Sequence, residues 1–195
     1  MIYLVRHGQT EFNAVRRWQG HVDSPLTALG RQQAERIAHA LRGLIDPADT
    51  TIFSSPLGRA RDTAGIIAEI SGIASDIRLD ARLMEIGMGA WDGLTDYEID
   101  MEWPDARAGL GRFEWFFHSP DGETYTVFSE RLGRALDDIV KDPAPAKIVV
   151  SHGIAGRVIR GLFAGLDPAD ALGLDVPQDA IFALAEGGIK RIDCA

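Results

Sequence analysis

The sequence predicts an α/β fold, a doubly wound three-layer sandwich with a mostly parallel central sheet and a small helical cap insertion. Three observations carry this. Short β-branched and apolar runs alternate with stretches whose apolar residues recur at helical spacing. Several strand candidates run straight into polar or charged residues, where an open α/β sheet binds its ligands. And 46% of the 195 residues are hydrophobic, enough for the core of one domain over 1–195, with the cap at about 88–125.

Composition narrows the function classes. A net charge of −9 argues against nucleic acid or an anionic membrane as a general partner. The single Cys194 can make neither an internal disulfide nor a thiolate metal site. The chain starts directly with a strand and has no apolar run near the roughly 20 residues of a membrane span, so a cytoplasmic protein is expected.

Ile2 to Val5 form the first strand, and Arg6-His7-Gly8 follow at its lip, an imidazole beside a guanidinium with a glycine for the sharp turn. The loop from Gln9 to Pro25 holds Asn13, Arg16, Arg17, Trp18, Gln19, Gly20, His21 and Asp23. Asn13 is near enough to turn back onto His7, although a plain turn residue reads the same way. Trp18 reads as packing and His21 as structural or surface. Thr27 caps a helix from Ala28 to Leu41, with Ala34, Ile37, Ala38 and Leu41 on its buried face and His39 exposed. Gly43 and Pro47 end it.

Thr50 to Ser54 form the second strand, and Ser55-Pro56 open the next helix. Arg59 and Arg61 flank Ala60 and cannot share one face, so one points inward near a helix start, itself an anion site. Ile77 to Leu83 form a third strand leading into a glycine-rich loop that carries Glu85. From Thr95 to about Ser119 the chain is acidic and aromatic and reads as short cap helices, most aromatics serving the cap's own core. His118 has no evident partner. A turn at Asp121 to Thr124 precedes a helix over Thr126 to Lys141, with Phe128, Leu132, Ala135, Leu136, Ile139 and Val140 as its buried stripe. Ile148 to Val150 form a central strand ending in Ser151-His152-Gly153, which enters a helix from Ile154 to Phe163. Ala180 to Ala185 and Ile189 to Ile192, joined by Gly187-Gly188, read as a hairpin whose exposed edge leaves a homodimer open.

Arg6-His7, Ser54-Ser55 with Arg59, Glu85 and His152 therefore meet at one sheet edge. Two imidazoles, two guanidiniums and one carboxylate suit a phosphate monoester. At this point the chain resembles the histidine phosphatase superfamily, which includes cofactor-dependent phosphoglycerate mutases. The residues that carry the resemblance are Arg6 to Thr10 with Asn13, Ser55 to Ala60 with Thr63-Ala64, Glu85 with Gly89 to Gly93, and Ser151-His152-Gly153.

The resemblance implies catalysis by His7, Glu85 and His152: His7 attacks phosphorus to form a phosphohistidine, and Glu85 is the general acid and base. It implies phosphate binding by Arg6, Asn13, Arg59 and Gly153, with His152 also holding phosphate oxygens and Gln19 and Gly20 contacting the substrate. It implies neither metal nor cofactor. The expected partner is a small phosphomonoester substrate. Between Met84 and Glu130 the only cations are Arg107 and Arg112. That favours hydrolysis of an ester with an apolar or neutral leaving group over mutase chemistry, which needs extra cations. Arg16 and Arg17 keep a mutase as the alternative. A non-catalytic module that binds phosphorylated partners is the second alternative, against which His7 and Glu85 both stand. Asp121, where many relatives have Gly, and Asp92, where Glu is common, are departures in the cap.

Overall fold

A computed structural model describes residues 1–186 and 188–194. The strands are β1 (Ile2–Arg6), β2 (Thr50–Ser54), β3 (Arg78–Leu79), β4 (Ala146–Ser151), β5 (Ala180–Ala185) and β6 (Gly188–Asp193). They form one sheet in the order β3-β2-β4-β1-β5-β6. Strands β1 to β4 pair in parallel, and β5 and β6 add an antiparallel edge. The mostly parallel, doubly wound sheet is thus observed. Gly187, expected in the β5–β6 turn, lies outside the described residues.

The helices are α1 (Glu11–Ala14), α2 (Ala28–Leu41), α3 (Gly58–Ser71), α4 (Asp96–Glu102), α5 (Tyr125–Lys141), α6 (Gly153–Ala164) and α7 (Pro168–Gly173). Strand alternation divides the core between the two faces. Tyr3 and Val5 of β1 and Ile148 and Val150 of β4 pack with Ile37 and Leu41 of α2 and Ala60, Ala64 and Ile67 of α3. Ile2, Leu4 and Val149 face the other way, onto Phe128, Leu132 and Leu136 of α5 and Ala155, Val158 and Ile159 of α6. Trp91, Ile99 and Phe116 belong to that second cluster. So the segment 88–124 shares the core of α5 and α6. Among the described residues, no helix is long and apolar enough to cross a membrane.

Several sequence expectations need correction. The third strand is only two residues long. Asp80 ends it by accepting a bond from the Arg82 amide (2.8 Å), which folds Ala81–Leu83 into a 3-10 turn. The helix after β2 starts at Gly58, with Ser55-Pro56 outside it; its capping carboxylate comes from Asp23 of the first loop, bonded to the Gly58 and Arg59 amides. The first loop contains α1, closed by a reciprocal cap between Thr10 and Asn13. α7 lies in a stretch to which no sequence expectation was attached. Val140 is exposed, because it is turned about 100° past Ile139 on a 3.6-residue helix.

Both departures in the cap have local explanations. Asp121 sits at φ 59°, the left-handed region that glycine favours and Asp tolerates. Asp92 accepts bonds from the Met88 amide (2.8 Å) and the His21 amide (3.1 Å), tying the cap to the first loop.

Candidate active site

The register sets the level of the site. Arg6 pairs with Ser151, and Ser54 with Val150. The next residue of each strand continues the ladder: the His7 amide donates to Ser151 C=O and the Ser55 amide to Val150 C=O, both at 3.0 Å. Parallel pairing therefore delivers His7, Ser55 and His152 side by side beyond the carboxyl edge. There a cavity of about 290 Å³ is lined by Arg6, His7, Asn13, Gln19, Gly20, Arg59, Glu85 and Gly153, among others.

His7 is buried, and its Nδ1 lies 2.7 Å from Gly8 C=O. A carbonyl only accepts, so Nδ1 carries the proton and Nε2 holds the lone pair. Burial, then the Arg59 and Arg6 guanidiniums, push the His7 pKa well below 6.5. The imidazole is thus neutral at physiological pH, with a free nucleophilic nitrogen.

His152 packs against it, with ring centroids 5.1 Å apart. Arg59 Nε donates to His152 Nδ1 (3.2 Å), which places the remaining ring proton on Nε2, facing Ser55 Oγ at 2.8 Å. Burial first, then Arg59, depress its pKa too. Both ring nitrogens are engaged within the protein, and His152 does not line the cavity. Of the nine residues expected at the site, it is the one held behind the wall.

Arg59 is the inward arginine of its pair, 1% exposed, while Arg61 faces solvent. Its guanidinium also donates to Gly20 C=O (2.8 Å), Val22 C=O (3.0 Å) and the Asp23 carboxylate (3.2 Å). Arg6 donates through one terminal nitrogen to Val176 C=O (2.6 Å), and its buried Nε has no protein partner. Burial, with Arg157 and Arg59 nearby, brings the Arg6 pKa down to about 10, still cationic at neutral pH. Asn13 Oδ1 accepts from the Thr10 amide (3.2 Å) and from Gln178 Nε2 (3.1 Å), which leaves its NH₂ to donate elsewhere.

Glu85 sits at the start of α6. Its carboxylate accepts the amides of Ile154 (3.0 Å), Ala155 (2.9 Å) and Ile86 (3.1 Å). Its own C=O accepts from Arg131 (2.8 Å), which is locked onto Glu123 by two bonds of 2.7 Å. A Cβ built on Gly153 would lie 3.5 Å from Arg6 Nε and 3.7 Å from Glu85 Oε2, so a backbone, a cation and a carboxylate converge there.

Sequence reasoning missed Arg157, which lines the cavity one turn along α6 from Gly153; the i, i+4 spacing was the available signal. It placed Ser55 at the site edge without its bond to His152, and it missed Asp23, Arg131 and the loop 174–178, which no local pattern marks. Trp18, Phe113 and Phe116 line the cavity as well as packing, with Trp18 and Phe116 ring centroids 5.3 Å apart. Among the described residues, no group of three or more His, Cys, Asp or Glu is set to hold a metal ion.

The chain matches the family model of the histidine phosphatase superfamily (branch 1) over residues 2–187. It belongs to that family. A relative from Enterobacter sp. (strain 638), named probable phosphoglycerate mutase GpmB, is 41% identical over 198 residues, covering 98% of this chain and 84% of that protein. Among solved structures, the mycobacterial glucosyl-3-phosphoglycerate phosphatase in complex with VO3 is 30% identical (TM-score 0.76; 93% of this chain, 92% of that one). Bacillus stearothermophilus YhfR is also 30% identical (TM-score 0.82; 98% and 95%).

The two buried imidazoles make stability pH-dependent. Each is neutral when folded, whereas an unfolded histidine takes a proton near pH 6.5, so acid favours the unfolded chain. Stability should be level above that pH and fall below it, by up to about 1.4 kcal/mol per pH unit for each histidine. Urea unfolding at about pH 7.5 and about pH 5.5 checks this; equal or greater stability at the lower pH would contradict neutral burial.

Proposed function

We propose that this protein is a metal-independent phosphomonoester hydrolase working through a phosphohistidine on His7. The observation that carries the reading is the neutral His7, its Nε2 lone pair left free in a cavity that also holds Arg6 and Glu85. Nε2 attacks phosphorus, the bond to the ester oxygen breaks, and Glu85 gives the departing alcohol its proton. Water then attacks the phosphohistidine, yields its proton to Glu85, and the P–N bond breaks, releasing phosphate and neutral His7. An imidazole nucleophile needs no metal-bound hydroxide.

Arg6 Nε, the Asn13 NH₂ and the backbone at Gly153 receive the phosphoryl oxygens, with the Arg59 charge behind them. His152 acts in this reading by fixing Arg59 and the His7 ring. Gln19 and Gly20 border the leaving group.

One observation favours phosphoglycerate mutase chemistry as a second reading: Arg157 adds a cavity cation outside the Met84 to Glu130 stretch in which only two were counted. The relative named as a probable mutase points the same way. A mutase, however, must seat the phosphoryl group in transfer, a second phosphoryl group and a carboxylate. Of the four arginines lining the cavity, Arg17 and Arg59 are paired with Glu98 and Asp23, leaving Arg6 and Arg157 for two anions.

The test is phosphate release from a panel of phosphomonoesters with a chelator present, with 3-phosphoglycerate samples also examined for isomerisation. Chelator-resistant release is expected. Isomerisation without net release would replace the hydrolase reading with the mutase one.

A further inference from the structure

His21, expected as a structural or surface residue, does not line the cavity, yet its ring reaches the backbone of Glu85. His21 Nε2 lies 3.0 Å from Glu85 C=O. A carbonyl only accepts, so Nε2 carries a proton and donates it to this bond. The ring rests against bare backbone at Gly87. A Cβ built there would lie 3.0 Å from His21 Cε1 and 3.4 Å from each ring nitrogen, so a side chain at position 87 would press on the imidazole. The His21 backbone is held as well. Its amide donates to the Asp92 carboxylate (3.1 Å), which also accepts the Met88 amide (2.8 Å). One residue earlier, Gly20 C=O accepts from Arg59 (2.8 Å).

Glu85 is thus gripped at both ends. Its carboxylate accepts the Ile154 and Ala155 amides of α6. Its C=O has two lone pairs and two donors, Arg131 at 2.8 Å and His21 at 3.0 Å. The two donors do different work. Arg131 comes from α5 and also holds Arg82 C=O (2.8 Å) and Met84 C=O (2.9 Å), so it fastens the whole segment to the body of the fold. His21 comes from the first loop, which Arg59 holds at the phosphate side of the cavity.

Resting on the hydrolase reading, we propose that His21 is a positioning residue for Glu85. Its bond sets the distance between the acid's backbone and the loop that Arg59 fastens behind the phosphoryl group. The Glu85 carboxyl is thereby kept in reach of the ester oxygen while His7 takes the phosphorus. His21 touches no reacting atom. Its loss is felt only where a proton must be delivered as the P–O bond breaks.

The test compares two aromatic esters, benzyl phosphate and para-nitrophenyl phosphate. Benzyl alkoxide is strongly basic and needs the proton; para-nitrophenolate leaves without one. The measurement is the benzyl to nitrophenyl ratio of kcat/KM for wild type, His21→Phe, His21→Gln and Glu85→Gln, with circular dichroism confirming that each is folded. Phenylalanine keeps the ring and loses the donor, whereas glutamine keeps a donor. Glu85→Gln should lower the ratio by about a hundredfold or more. His21→Phe should lower it by about tenfold, with para-nitrophenyl phosphate within about twofold of wild type, and His21→Gln should recover part of the loss. A His21→Phe ratio equal to that of wild type, whether both rates fall together or neither falls, overturns the proposal. If Glu85→Gln leaves the ratio unchanged, or neither ester is hydrolysed, the reading of Glu85 or of the hydrolase fails on its own account. Amide hydrogen exchange then decides the tether. Exchange at Ile154 and Ala155, relative to Val158 on the same helix, should speed up by about threefold or more in His21→Phe, and unchanged exchange overturns the positioning role.

Discussion

Replacing His7 with alanine should lower kcat/KM for phosphate release by a factor on the order of 10⁴ or more. The size of the loss follows from its place in the reaction. His7 supplies the atom that forms the bond to phosphorus, and no other cavity group can stand in for it. His152 is the nearest imidazole, but its two nitrogens face Arg59 and Ser55. The phosphate-binding groups remain, so His7→Ala should still bind inorganic phosphate in calorimetry. The variant loses the bond from Nδ1 to Gly8 C=O, which costs about 1 to 3 kcal/mol of stability and leaves it folded at neutral pH. A variant that is folded, binds phosphate and retains more than about a hundredth of wild-type turnover would remove His7 from the nucleophile's role.

The second large effect is expected at Arg59. Substitution by methionine keeps most of the apolar stem and removes every donor. Gly20 C=O, Val22 C=O, the Asp23 carboxylate and His152 Nδ1 each lose a bond. Three of these acceptors are backbone carbonyls or a buried ring nitrogen with an unmet need, and Asp23 is partly solvated, so it regains water. The expected destabilisation is about 2 to 4 kcal/mol in urea unfolding. Activity should fall by a further factor of about 10² to 10³ among molecules that remain folded, because the cation behind the phosphoryl group is gone. The neighbouring exposed Arg61→Met should change stability by less than about 0.5 kcal/mol. Equal stability losses at Arg59 and Arg61 would contradict the picture of one arginine pinning the first loop to the sheet edge.

How far the molecule could be read from its sequence depended on the reach of each signal. Strands β1, β2 and β4, and helices α2, α5 and α6, were legible because their patterns are local: β-branched runs in the strands, and apolar spacing and caps in the helices. The opposed faces of Arg59 and Arg61 followed from helical geometry alone. The third strand was over-read because alternation does not reveal that Asp80 caps its own backbone two residues on. The start of α3 was misplaced because its cap is Asp23, 35 residues away in sequence. The nature of His152's bonds was out of reach for the same reason: Ser55 and Arg59 meet it only through the sheet. Loop 174–178 has no pattern at all, yet its carbonyls and Gln178 hold Arg6, Arg157, His7 and Asn13. Arg157 is the instructive omission. A cation count confined to the cap could not include a residue on the helix that follows the second histidine.

The phosphohistidine is the centre of this account, and the stereochemical course at phosphorus addresses it most directly. Each in-line displacement inverts the phosphorus centre. An intermediate on His7 requires two, and so predicts net retention for a substrate made chiral with oxygen isotopes and hydrolysed in labelled water. Net inversion would mean a single displacement by water and would contradict a covalent role for His7.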